Sequence, residues 1–156
     1  MYSFEDKNAQ DKLKDLLNQY TEFKNDHGSS AKASDLVTNA WHLIEWVFEE
    51  FQQQLQVSSI TDLRETLYPL CPQLKILHDL ANGSKHSIVT RPKAPISGTS
   101  KQFGAFSSQF SNDFSKTALL IQMQDGSRLY FDDEIKIVMQ FWKDYFKNTL
   151  HIQVEE

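Results

Sequence analysis

His78, Asn82 and His86 recur at four-residue steps in "CPQLKILHDLANGSKH", and His42 and Glu45 stand three apart in "AWHLIEWVF". On a helix, steps of three and four return to one face, so each set forms a polar stripe. Imidazole is the side chain that gains or loses its proton near neutral pH, and it ligates zinc, nickel and iron. Three chemistries fit such stripes. They can be polar boundary residues bonded to each other and to water, with Asn82 and Lys85 finishing a helix. His42, Glu45, His78 and His86 can form a divalent-metal set, since His-x-x-Glu on a bundle helix is a ligand spacing. Asn82 and His86 can form the centre of an RNA-binding or RNA-cleaving site, with His86 as acid or base. The stripes flank the apolar faces of their helices, so they meet only if the two helices pack side by side.

A second group is basic. Lys85, Arg91, Lys93 and Lys101 surround the stretch "TRPKAPISGTS", and Phe103, Phe106 and Phe110 follow. Cations interleaved with aromatic rings can hold a single nucleic-acid strand. The alternative is a solvated loop with its phenylalanines in the core. Formal net charge is −5, so no broad basic field exists to grip a duplex. Cys71 is the only cysteine, which excludes an internal disulfide and any CxxC zinc site and points to a reducing cytoplasm. There is no Walker loop, no GxGxxG and no GxSxG. Nothing approaches the ~20-residue apolar run of a membrane span, and the polar N-terminus does not read as a signal peptide.

The elements that must position these residues are mostly helical. With 156 residues, 40% hydrophobic and 24% charged, the chain suits one domain with one core. Leu13, Leu16, Leu17, Tyr20 and Phe23 predict a first helix over 4–26, capped by Ser3 with Asp6. Val37, Ala40, Trp41, Ile44, Val47, Phe48, Phe51 and Leu55 share one face of a second, over 31–56, with Ser29 or Ser30 as cap. Trp46 lies opposite that face and should pack under another element or a partner subunit. A short helix, "DLRETLY", precedes a longer one that begins at Pro72 and ends near His86. Its inner face is Leu74, Leu77, Ala81 and Ser84. Residues 90–100 read as a surface loop. "KTALLIQMQ" and "SRLYF" form a β-hairpin about Asp125-Gly126, and 103–110 could add a strand. Asp132 or Asp133 should cap a last helix with Ile135, Val138, Met139, Trp142 and Phe146 inward. The expected fold is therefore mainly α, a bundle of three to five helices. An antiparallel hairpin or small meander, about 103–131, is inserted before the C-terminal helix. Residues 1–150 form one domain, and 151–156 should fray. No cofactor is implied.

Asn82-x-x-x-His86 near the end of a late helix resembles the HEPN superfamily, small helical domains of toxins, antitoxins and RNA-targeting nucleases. The likeness spans about 31–89. It implies a homodimer in which two copies of the motif line one cleft and cut RNA without metal. An acidic residue on an earlier helix often joins them, and Glu45 is the match. The family's motif carries an arginine just before the position of Asn82. Here that position holds Ala81, which implies an accessory or regulatory member binding RNA or a protein partner. "AWHLIEWVF", "CPQLKILHDLANGSKH" and "GAFSSQFSNDF" together also resemble a widespread group of bacterial and prophage proteins, which implies a mobile-element or defence context.

Overall fold

The computed structural model describes residues 5, 7–85, 91–102 and 117–155. Five helices and three strands follow in the order α1 (Ala9–Lys24), α2 (Ser30–Leu55), α3 (Ile60–Leu67), α4 (Gln73–Lys85), β1 (Ile96–Gln102), β2 (Ala118–Met123), β3 (Arg128–Tyr130) and α5 (Phe131–Asn148). The chain is mainly helical, with an antiparallel sheet before the last helix.

α1, α2 and α3 each start where polar residues close the first turn. Asn8 and Asp11 form a reciprocal capping box on α1, with Asp11 N–H donating to Asn8 Oδ1 at 2.9 Å and Asn8 N–H to Asp11 Oδ2 at 3.1 Å. The cap is thus Asn8, five residues later than the predicted Ser3, which lies outside the described residues. Ser29 caps α2 through Lys32 N–H, and Ser59 caps α3 through Asp62 N–H. Asp132 and Asp133 do not cap α5. The N-cap is Tyr130, in extended backbone and without a side-chain cap bond. The two aspartates sit inside the first turn, where their charge still favours the positive helix end.

α2 is the spine, packed against α1, α3, α4 and α5. Leu36, Val37, Ala40, Trp41, Leu43, Ile44 and Val47 are all buried along it. Trp46 is partly buried and packs toward α1, with Lys12 Nζ 4.7 Å from its ring centroid. Trp142 of α5 is fully buried and donates its indole N–H to Ala40 O at 3.1 Å. Of the inner face predicted for α4, Leu74, Leu77 and Ala81 are buried, whereas Ser84 is exposed. The expected frayed tail is instead held. Ile152 N–H donates to Phe146 O at 2.9 Å, and Ile152 and Val154 pack partly buried against the core.

The sheet differs from expectation in one strand. β2 and β3 form the predicted hairpin, and Gly126 takes φ 89° in its turn, a conformation that glycine adopts without strain. The third strand comes from the segment read as a surface loop. β1 pairs antiparallel with β2, from Ile96 opposite Met123 to Gln102 opposite Ala118, with an irregularity between Ile96 and Gly98. Its composition gives no strand signal because its side chains are mostly exposed. Pairing with the apolar β2 supplies what its own residues lack. The strand considered over 103–110 lies outside the described residues.

Cys71 is buried, and burial pushes its thiol up to about 11. At pH 8 iodoacetamide should therefore label the protein only as fast as it unfolds, a rate to be read by mass spectrometry against urea concentration. The folded state holds the neutral thiol, so its contribution to stability is complete below pH 9 and is lost as pH rises from about 9 to 11.

Candidate functional site

α4 carries the polar residues, and its geometry decides which of them meet. Asp79 is only 6% exposed, at the centre of a hydrogen-bonded cluster. Its Oδ1 accepts from His78 Nδ1 at 2.7 Å and from Lys93 N–H at 2.8 Å. Its Oδ2 accepts from Ala94 N–H at 2.7 Å and again from Lys93 N–H at 3.0 Å. One turn along, the Asn82 side-chain amide donates to His78 Nε2 at 3.2 Å. A neutral imidazole satisfies this set with its proton on Nδ1 and its lone pair on Nε2. Both ring nitrogens are then engaged within the protein, and the carboxylate ties residues 93 and 94 to the helix. The arrangement is a latch: it fixes a loop, and it leaves His78 no free nitrogen for proton transfer.

Below the latch lies an aromatic floor. The His78 ring stands edge-on to Trp41, with centroids 5.0 Å apart. Trp41 stacks on Tyr68 at 6.4 Å with an interplanar angle of 8°. The Arg64 guanidinium lies 5.1 Å from the Trp41 centroid, and Lys75 Nζ lies 5.3 Å from that of Tyr68. Burial raises the Tyr68 phenol above its ordinary value, so it stays protonated and apolar in character.

α2 and α4 do pack as neighbours, but the residue of α2 that His78 meets is Trp41. His42 and Glu45 are exposed. His86 lies outside the described residues, as do Phe103, Phe106 and Phe110. Lys85 ends α4, and Arg91, Lys93 and Lys101 are exposed. Among the described residues no three His, Cys, Asp or Glu side chains converge as a metal site requires. Asp79, Arg64 and Tyr68 were not singled out from sequence. The one available signal was an aspartate inside the apolar run "ILHDLA", a residue that is buried only when paired.

Beside the latch is a cleft of about 740 Å³, between the start of α2, the end of α4 and the sheet. Ala33, Val37, Leu80, Leu119 and Phe131 give it an apolar floor, and Ser30, Ser34, Ser84, Ser97, Thr99 and Ser100 line it with hydroxyls. Six consecutive residues of β1, Ile96 to Lys101, touch it. Successive side chains of a strand point to opposite faces. A space that touches all six, and Leu119, Leu120 and Ile121 of the central strand β2 as well, therefore covers a face of the sheet and reaches round to the outer edge of β1. Among the described residues that edge has no neighbouring strand, because the order is β1-β2-β3.

Neither a family model, nor a curated protein, nor a solved structure matches this chain. No helix among the described residues is long and apolar enough to cross a membrane.

Proposed function

We propose that this chain is a non-catalytic, HEPN-like accessory module of the cytoplasm that acts as a homodimer and binds an extended segment of a partner protein. The observation that carries the reading is the cleft that covers the sheet face and reaches the open edge of β1. An added strand would find backbone donors and acceptors on β1 and an apolar floor for alternate side chains. The hydroxyl lining supports a polar, uncharged backbone as ligand. Phosphates would call for more cations than Lys101, the one Lys or Arg that touches the cleft among the described residues. The latch supports the non-catalytic part, since His78 and Asn82 are spent on holding the 93–94 segment. Ala81 at the family's arginine position supports it too.

Gly98 offers a clean test. A Cβ built there meets nothing within 4 Å, so a side chain starts into open space. Gly98→Trp should fold with an unchanged or raised Tm, because glycine weakens a strand, while filling the cleft. Selection of a displayed random-peptide library on the full chain should enrich sequences with apolar residues at alternate positions, and the variant should retain none of them. Equal enrichment on both proteins, or none on the parent, would defeat the proposal. Tight binding of single-stranded RNA would move the ligand to the Arg91/Lys93 rim. RNA cleavage that His86→Ala abolishes would restore the nuclease chemistry, with Asn82 and Glu45 as its partners.

A further inference from the structure

Leu70 and Ile137 are 64% and 44% exposed, and with Phe141 they flank an open groove of about 500 Å³ between α5 and the turn after α3. Such exposed apolar area on two adjoining elements marks a contact surface. The charges along α5 say what covers it. Asp133, Lys136, Gln140, Asp144 and Lys147 are all exposed, at offsets of −7, −4, 0, +4 and +7 from Gln140. Steps of four and seven return to one helix face. That face reads minus, plus, neutral, minus, plus. Run antiparallel against itself about Gln140, it places Asp133 opposite Lys147, Lys136 opposite Asp144, and Gln140 opposite Gln140. Every pair is attractive. In a parallel pairing every charged residue would face its own copy. None of the four charged residues has an ion-pair partner among the described residues.

We infer that the groove at Leu70, Ile137 and Phe141 is the homodimer interface, with the α5 helices of two copies crossing antiparallel at Gln140. A two-fold interface must be complementary to itself, and this charge order has that property. The rise of ~1.5 Å per residue puts Ile137 about 3 Å along the axis from Phe141 of the partner subunit, so the apolar residues meet beside the two-fold axis. Asp144, which accepts from the Gln140 amide at 3.1 Å, is held on the face that Lys136 of the partner subunit would approach. The inference rests on the homodimer in the functional reading above and names its surface.

Sedimentation equilibrium of the full chain tests it. The parent should be a dimer and Ile137→Glu a monomer. Asp133→Lys should weaken dimerisation by about tenfold, since the two-fold turns two attractive pairs repulsive. Adding Lys147→Asp should restore it. That double variant places each new charge at the wrong end of the helix dipole, so the rescue cannot come from a more stable monomer. A parent that stays monomeric removes both the dimer and this surface. A dimer indifferent to Ile137→Glu and to the charge exchange keeps the dimer and overturns the surface.

Discussion

Asp79→Ala should destabilise the fold by about 3–4 kcal/mol, measured by urea unfolding with linear extrapolation. The carboxylate accepts from Lys93 N–H, Ala94 N–H and His78 Nδ1 in a site that is 6% exposed. Removing it leaves these donors facing a small apolar void. Each buried donor without a partner costs about 1–3 kcal/mol, and His78 can recover part of this by turning to water. Asp79→Asn keeps one acceptor oxygen but turns an amide N–H toward a backbone N–H. It should cost about 2 kcal/mol. The loss should be local first, with proteolysis of Asp79→Ala beginning between residues 91 and 95 under native conditions. If Asp79→Ala costs less than about 1 kcal/mol, the latch is not what holds the loop.

Trp142→Ala should cost more, about 4–5 kcal/mol by the same measurement. Trp142 is fully buried among Phe141, Tyr145 and Phe146, with centroids 5.2 to 6.1 Å away. Its indole N–H crosses to Ala40 O on the helix that forms the spine. Truncation removes the contact between α2 and α5 at its centre and opens a cavity too well framed to collapse. Trp142→Phe keeps most of the apolar area and gives up the hydrogen bond, so it should cost about 1–2 kcal/mol. The gap between the two variants separates packing from the indole bond. Equal losses would mean that the hydrogen bond carries the effect.

What could be read in advance was what local rules govern. α2 was legible because eight apolar residues at steps of three and four allow only one buried face. The hairpin was legible because Asp125-Gly126 meets a backbone requirement inside a single turn. The inward residues of α5, Ile135, Val138, Met139, Trp142 and Phe146, are all buried, again because the period is a property of the helix itself. Even the His78–Asn82 contact followed from the four-residue step. β1 was missed for the opposite reason: its strand exists through pairing with β2, some 20 residues away, and few of its own side chains are buried.

The site divides along the same line. Sequence alone determined that His78 and Asn82 lie on one helix face beside an apolar stripe. It also determined that no arginine stands four to six residues before His86, where Leu80, Ala81 and Asn82 are found. Only the tertiary structure decided that a third residue, Asp79, turns inward and that its partners are backbone N–H groups of Lys93 and Ala94. It likewise decided that Trp41, not His42 or Glu45, meets the imidazole. Backbone donors carry no sequence signature, and a carboxylate's burial depends on which loop arrives to neutralise it. Helical period fixes which side chains point together, whereas what they point at is set by elements distant in the chain.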